Sequence, residues 1–509
     1  MAKTKNYAEQ LAKSSLIAST LLMAGMIIGY GLRIYLSRNL SPSDYGLFYA
    51  VLAFVGFFSV FRELGLNSTI AIFIPKFLHK KEFWRIKSSV YFVIFIQTIV
   101  SIFVIVPIIL FSDEIALAFF KTPLASLPLK LICISFLAGI TFDALRSAYQ
   151  GLQDIKVFSV IEPFRLSIIF IISVLLIALG VVGVAYGYAI SAIICSIVFF
   201  IIFAKRYSNF FNEKLNFSKS REILKFGSIL LSGSVFGTVL SYLDTVLLAF
   251  FHTSADVGFY QVAMPTAQLI AFIVTPISVV LLPALSELWV KKDKILFSKI
   301  MSFVSKFLFI ILIPEIIIVI SFPDIIIRMI FGEAFLPAIE ALQILSIGMI
   351  FFSFLSIMFV VFLGIEKPKL NVTIISLLGL FNLLLNAVLI PLFSIKGAAI
   401  AFLLTYVIGL VLSNIFVRKH IQWPLQIKNL GKTLIGSIIT FLIIDYTKLL
   451  LFADPWIELI ISLVLGLAFY LVFIFKAGII TRQDLKVLEE TKIHIPKKFT
   501  NFIMKIAKD

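Results

Sequence analysis

The chain has 509 residues, of which 61% are hydrophobic and 14% are charged, and its formal net charge is +17. Soluble domains average about 45–50% apolar and about 25% charged residues. The surplus apolar surface needs a lipid bilayer as its solvent, which excludes a cytosolic enzyme, a secreted disulfide scaffold and a disordered protein. The two cysteines, Cys133 and Cys195, lie inside apolar runs, and we interpret them as packing residues.

Membrane-spanning helices are predicted along most of the chain, because each crossing needs about 20 mostly apolar residues. A transmembrane barrel would instead show strands of about ten alternating residues. The predicted fold is therefore an all-α polytopic membrane protein with about 14 crossings. In chain order, the qualifying segments are approximately 15–37, 46–74, 88–111, 124–149, 157–179, 182–204, 226–250, 257–284, 300–321, 338–363, 370–391, 397–417, 433–452 and 456–475.

The basic residues orient these helices. With the N-terminus inside, most of the 44 Lys and Arg residues fall in cytoplasmic segments. This bias predicts that both termini are cytoplasmic and that the protein lies in the plasma membrane. The charges then face an anionic inner leaflet, so we expect membrane lipids, and not nucleic acid, as partners. The outer loops hold only Arg38, Lys121, Arg328, Lys396 and Lys448.

An internal repeat divides the chain into two parts. The segment 43–48 resembles 255–260 at a spacing of about 212 positions, and three further motif pairs recur in the same order at nearly that spacing. The spacing contains six crossings, so both copies keep one orientation, which predicts two parallel six-helix lobes. The predicted divisions are a first lobe at 1–204, a cytoplasmic linker at 205–221, a second lobe at 222–417, two additional helices at 418–476 and a basic cytoplasmic tail at 477–509.

Six segments distributed over predicted helices 1–12 carry a family resemblance. Through them the sequence resembles the polysaccharide-biosynthesis branch of the multidrug/oligosaccharidyl-lipid/polysaccharide (MOP) exporter superfamily. The segments are LSPSDYGLFYAV, RELGLNSTIAIFIPKF, SYLDTVLLAFFHTSADVGFYQVA, ISVVLLPALSEL, IIIRMIFGEAFLPAIEALQIL and GIEKPKLNVTIISLLGLFNLLLNAVLIPLFSIKGAAIAFLLTYVIG.

The resemblance implies a fold like that of the multidrug exporters called MATE, with two lobes around a central cavity. It also implies a flippase that turns a polyprenyl-phosphate- or diphosphate-linked oligosaccharide from the inner to the outer leaflet by alternating access. Such a protein would serve surface polysaccharide or glycan assembly, and glycan assembly enzymes would be its partners.

Three other functions are alternatives. A multidrug or cation antiporter and a peptidoglycan-precursor flippase share the superfamily, but cationic residues in the first lobe favour an anionic lipid phosphate over a cationic drug. A membrane glycosyltransferase or glycan polymerase would need a catalytic outer loop, and the predicted outer loops are too short. We therefore predict a transporter and no enzymatic activity.

Three arginines within the spans are the candidate substrate-binding residues: Arg33, Arg62 and Arg165. A charge inside a span is costly and by default indicates function, and a guanidinium fork binds phosphate oxygens in a bidentate way. Arg33 and Arg62 have no acidic residue three or four positions away, and their helices are consecutive. Both side chains could therefore reach one cavity and hold the head group in turn. The alternative is pairing with an acidic residue of another helix, namely Glu63, Asp244 or Glu315.

Four acidic residues within the spans are candidates for ion coupling or for pairing between helices: Glu63, Glu162, Asp244 and Glu315. Glu162 and Arg165 are three positions apart, as are Asp143 and Arg146, and this spacing predicts mutual neutralisation on one helix face. Asp244 is predicted to bond another helix. Glu63 and Glu315 are the candidates for a coupling proton or sodium ion.

No metal or cofactor site is predicted. The four histidines are scattered over loops and tail, which does not suit a metal site. Gly431-Lys432-Thr433 resembles the end of a nucleotide-binding loop, but Gln426 stands where that motif needs its first glycine.

Overall fold

The computed structural model describes residues 2–211, 213–218, 220–419, 427–450 and 455–479. Every regular element in these ranges is helical. Most of the predicted tail at 477–509 lies outside the described residues. The α-helices are α1 Ala2–Asn39, α2 Pro42–Phe57, α3 Ser59–Glu63, α4 Leu66–His79, α5 Phe83–Leu110, α6 Ser112–Ala118, α7 Ser126–Gly151, α8 Ile155–Leu175, α9 Val181–Arg206, α10 Ser208–Phe211, α11 Ser220–Phe251, α12 Ser254–Gln268, α13 Val274–Val290, α14 Lys294–Ser321, α15 Pro323–Ile330, α16 Ile339–Gly364, α17 Pro368–Arg418, α18 Ile427–Leu450 and α19 Pro455–Lys476.

The number of long apolar helices agrees with the predicted crossings. Twelve helical segments of the described chain are long and apolar enough to cross a membrane. One of them, α17, has 51 residues and a non-helical Ser394 near its middle, with φ 50° and ψ −130°, so it supplies two crossings. The first predicted crossing, 15–37, falls on the 38-residue α1. The all-α, multi-pass fold is confirmed.

The second predicted crossing is not the continuous helix that its apolar sequence suggested. It is divided into α2, α3 and α4, and both residues between α3 and α4 are left-handed, with φ 46° at Leu64 and φ 68° at Gly65. A Cβ atom on Gly65 would lie 2.5 Å from the carbonyl oxygen of Gly227 in α11. The close packing of α11 against this break therefore requires glycine at position 65. Small residues allow helices to approach closely in the same way in other membrane interfaces.

The described chain separates into two compact units. The first comprises Met1–Val262 and Gly379–Ala398, and the second comprises Ala263–Leu378 and Ala399–Asp509. This grouping follows spatial proximity and does not coincide with the repeat, so the lobe boundaries inferred from the repeat stay a prediction.

Each unit has its own apolar core. In the first, Leu66 and Ile70 of α4 pack with Val90 of α5, Phe142 of α7 and Phe199 of α9. In the second, residues of α14 and α15 pack with α18 through Ile313, Ile317, Phe322, Ile325 and Ile444. The first core includes α4, the helix that follows the break in the second crossing, and so holds that side of the break in place.

Candidate functional site

A cavity of about 260 Å³ lies inside the first unit. Its walls come from α2, α3, α7, α8, α9 and α11, and along the second crossing it extends from Leu52 to Glu63, next to the break. Six charged side chains line it, three of them basic and three acidic: Arg62, Arg146, Arg165, Glu63, Asp143 and Glu162.

Arg62 is held at the end of α3 by an ion pair that the sequence did not predict. Its Nη2 lies 2.6 Å from Oδ2 of Asp143 on α7. Its Nη1 donates to the carbonyl of Phe136 at 2.8 Å, and the guanidinium covers the Phe136 ring at 4.0 Å. Among the described residues, its buried Nε atom has no hydrogen-bond partner. The expected alternative partners Glu63, Asp244 and Glu315 were therefore wrong for Arg62.

The predicted pairing of Asp143 with Arg146 is also wrong. Because Asp143 turns to Arg62, Arg146 extends across to α8, where its Nη1 lies 3.8 Å from Oε2 of Glu162. Side chains three positions apart can meet on one helix, but here each finds a partner on a neighbouring helix. The packing of neighbouring helices determines these partners, and the spacing of residues along the chain does not report that packing.

Glu162 is shared between two arginines. It accepts hydrogen bonds from Nη2 and Nε of Arg165, which is the pair expected from their spacing, and it also faces Arg146. The side chain of Arg146 is 38% exposed and that of Arg165 is 31% exposed. Both guanidinium groups are therefore accessible from the cavity.

Glu63 also lines the cavity. Within the described part of the chain its carboxylate makes no hydrogen bond and no ion pair, although Arg62 is the preceding residue. It is therefore the carboxylate of the cavity most available to a ligand.

Arg33 does not share this cavity, contrary to the expectation that it would meet Arg62 there. Its Nη1 lies 3.2 Å from the backbone oxygen and 3.3 Å from the side-chain oxygen of Gln261. The guanidinium also covers the ring of Tyr49 at 4.3 Å. Gln261 in turn donates to Thr245 of α11 at 2.7 Å, so Arg33 connects the first helix to α11 and α12.

The two remaining candidates also lie outside the cavity. Asp244 of α11 accepts a hydrogen bond from the Tyr260 hydroxyl on α12 at 2.5 Å, which is the pairing between helices expected for it. Glu315 lies on α14, in the second unit, and its buried Oε2 has no hydrogen-bond partner in the part of the chain that the structure describes. The structure thus collects Arg62, Glu63, Glu162 and Arg165 at one site.

Sequence reasoning missed the contribution of α7. Seven of its residues line the cavity at intervals of one, three and four positions, which is one helix face: Ile132, Ser135, Phe136, Gly139, Phe142, Asp143 and Arg146. A polar and small-residue stripe in an apolar helix was the signal that could have identified them. In the sequence, however, Arg146 stands near the end of its predicted span, and that position predicted a place beside the cytoplasmic loop.

Comparisons with known proteins agree on one family and one fold. Residues 11–289 match the family described as polysaccharide biosynthesis protein. An uncharacterised membrane protein of Methanocaldococcus jannaschii is 30% identical over 476 residues, which are 90% of this chain and 94% of that protein. A probable low-salt glycan biosynthesis flippase of Haloferax volcanii, Agl15, is 24% identical over 51% of this chain and 55% of its own length. The solved structure of the lipid II flippase MurJ, in an inward closed conformation, has a TM-score of 0.75 at 18% identity and covers 90% of this chain and 98% of its own.

Proposed function

Because the chain belongs to the polysaccharide biosynthesis protein family, we propose that it is a flippase for a lipid-linked oligosaccharide. It turns a glycan on a polyprenyl phosphate or diphosphate from the inner to the outer leaflet of the plasma membrane, with both termini cytoplasmic. Enzymes that assemble the glycan on the inner leaflet supply its substrate.

The observation that carries this proposal is the arginine-lined cavity within membrane-spanning helices. Three guanidinium groups face it, and in this structure they pair with two carboxylates, Asp143 and Glu162. A phosphate offers the same acceptor oxygens as a carboxylate and binds a guanidinium fork in the same bidentate way. An entering phosphate can therefore share the guanidinium groups with these carboxylates, so that neither an arginine nor a carboxylate is left unpaired in the membrane.

The proposed contacts differ between the arginines. Arg62, Arg165 and the added Arg146 bind the phosphate in the cavity. Arg146 makes the first contact, because its pair with Glu162 is long at 3.8 Å and its side chain is the most exposed of the three. Arg33, which lies outside this cavity, holds the head group at a later step.

Deletion of the gene in its own host tests the proposal. We expect a lipid-linked glycan to accumulate on the inner leaflet and the corresponding surface glycan to disappear, both detected by mass spectrometry of lipid and surface fractions. Expression of the wild-type chain should restore both fractions. A normal surface glycan without an accumulated intermediate would contradict the proposal, and accumulation of a peptide-bearing lipid precursor would assign the peptidoglycan alternative instead.

A further inference from the structure

Glu63 differs from the other two carboxylates of the cavity. Asp143 and Glu162 are engaged by arginines, whereas Glu63 makes no hydrogen bond and no ion pair within the described part of the chain. Its neighbour Arg62 does not engage it, because that guanidinium already binds Asp143 and the carbonyl of Phe136. A half-buried carboxylate within a membrane span needs a partner, so we expect the partner of Glu63 to be a ligand of the cavity.

The position of Glu63 in its helix does not account for its charge either. It is the last residue of α3, and the carbonyl groups exposed at the C-terminal end of a helix disfavour a carboxylate there. The left-handed Leu64 and Gly65 that follow fix the backbone of Glu63 beside the break. The carboxylate is thus presented to the cavity at an electrostatic cost, which indicates that it has a function of its own.

The charge of Glu63 decides which part of a sugar phosphate it can contact. An ionised carboxylate only accepts hydrogen bonds. Phosphate oxygens carry negative charge as well, so a contact between the two anions is repulsive. The hydroxyl groups of a sugar donate, and their hydrogen bonds to a carboxylate are charge-assisted. With the phosphate on the accessible guanidinium groups of Arg146 and Arg165, Glu63 is suited to the sugar that is attached to it.

Tyr242 of α11 is close to both parts of the cavity. Its phenol is near enough to Glu63 and to Arg165 to interact electrostatically with both. Its ring packs against Gly56 of α2, where a Cβ atom would lie 2.8 Å from Cε1 of the tyrosine. Within the described residues the hydroxyl has no hydrogen-bond partner, and a phenol can both donate to and accept from a sugar hydroxyl. Glu63 and Tyr242 therefore offer a pair of polar groups next to the phosphate.

The volume of the cavity limits what these two groups can contact. Pockets for drug-sized ligands have about 300–1,000 Å³, and this cavity has about 260 Å³. That space suits a phosphate with one attached sugar ring, whereas an oligosaccharide of several sugars needs more room. The sugar that Glu63 and Tyr242 can contact is therefore the one attached directly to the lipid phosphate.

We propose that Glu63 and Tyr242 form a subsite for the lipid-proximal sugar, and that Glu63 selects a neutral sugar against an acidic one. This inference rests on the proposed function, because the sugar is placed relative to a phosphate that arginines bind. A neutral sugar donates hydrogen bonds to the Glu63 carboxylate, whereas the carboxylate of an acidic sugar meets a like charge. A site that hydrogen-bonds hydroxyl groups also discriminates against a substrate that lacks them.

Binding of defined lipid phosphates to the purified protein in detergent micelles tests the subsite by isothermal titration calorimetry. The reference probe is farnesyl methyl phosphate, a diester without a sugar. The other probes are farnesyl phosphate diesters of glucose, galactose, mannose and glucuronic acid. We expect the wild-type protein to bind at least one neutral-sugar probe about tenfold more tightly than the reference. The glucuronic acid probe should bind at least about tenfold more weakly than that neutral probe. This comparison uses the unaltered protein, so it holds even if a variant fails to fold.

Substitutions assign the preference to the two residues. Glu63→Gln should lose most of the preference for the neutral sugar and bind the glucuronic acid probe more tightly, while its binding of the reference probe shows that the variant is folded. Tyr242→Phe should weaken binding of the neutral sugar without improving binding of glucuronic acid. Glu287→Gln is the control, because Glu287 lies on α13 in an exposed pair with Lys291, and it should match the wild-type protein on every probe.

Three results would overturn the subsite. One is a wild-type protein that binds all diesters equally or binds none of them. Another is a neutral-sugar preference that survives in Glu63→Gln. The third is an equal weakening of all probes in Glu63→Gln, which would instead suit the ion-coupling role predicted for this residue. The proposed function is decided separately, by the deletion phenotype, so a flippase without this sugar subsite and a protein that is not a flippase give different results.

Discussion

Among single residues, Arg62 depends on a charged partner that lies far away in sequence. Its side chain is 8% exposed and pairs with Asp143, 81 positions away. Removing one member of a buried pair leaves an uncompensated charge, whereas removing both does not. The pair should therefore behave as a coupled unit in unfolding experiments.

Asp143→Asn is expected to lower the free energy of unfolding by about 2 kcal/mol. The double variant Arg62→Leu/Asp143→Leu should lose less than the sum of the two single variants, and equilibrium unfolding in detergent micelles measures the coupling. Strictly additive effects would mean that the two side chains do not interact in the folded protein.

Replacing cavity arginines by lysine separates phosphate binding from charge alone. Arg62→Lys and Arg165→Lys keep the charge but lose the planar fork, so surface glycan should fall at least about tenfold although protein abundance is unchanged. Arg328→Lys is the control, because Arg328 lies in the second unit in an exposed pair with Glu333 at 3.7 Å. Full transport by both cavity variants would refute the phosphate role.

Among the helical elements, the broken second crossing depends on an unusual backbone conformation at two consecutive residues. Leu64 and Gly65 are both left-handed, and the break ends α3 at the two charged residues that face the cavity, Arg62 and Glu63. Non-helical backbone at membrane depth is tolerated only where protein buries it or a cavity adjoins it. The break is thus a structural requirement of the site.

Gly65→Ala should destabilise the protein by about 2 kcal/mol or more, because the φ of 68° and the carbonyl of Gly227 both oppose a side chain. Gly31→Ala should instead be neutral or stabilise by up to about 1 kcal/mol, since Gly31 is helical and has free space around it. Thermal unfolding of both variants in one detergent gives the comparison, and an equal shift in both would contradict the packing argument.

For the whole molecule, the membrane orientation is the property on which the proposed direction of transport depends. Lys121 follows three crossings and Lys214 follows six, and both are exposed. They therefore lie on opposite sides of the membrane, and a cytoplasmic N-terminus would place Lys121 outside and Lys214 inside.

In a chain without its native cysteines, a cysteine at position 121 should react with an impermeant maleimide added to intact cells. A cysteine at position 214 should react only after the membrane is permeabilised. The reverse pattern would invert the topology and with it the proposed direction of transport.

The sequence alone determined the all-α, multi-pass fold, the approximate positions of the crossings and the family. Hydropathy is a local property, and a crossing must be long and apolar wherever it packs. The predicted segment 88–111 thus falls on α5, and 182–204 on α9. The repeated motif was likewise visible in sequence.

The tertiary structure alone decided which charged residues meet. Asp143 pairs with Arg62 and not with Arg146, and Arg33 binds Gln261, 228 positions away, outside the cavity. An arginine inside a membrane needs a partner, but several carboxylates and carbonyl groups can serve. Which one is within reach depends on how helices distant in sequence pack, and one-dimensional spacing carries no information on that packing.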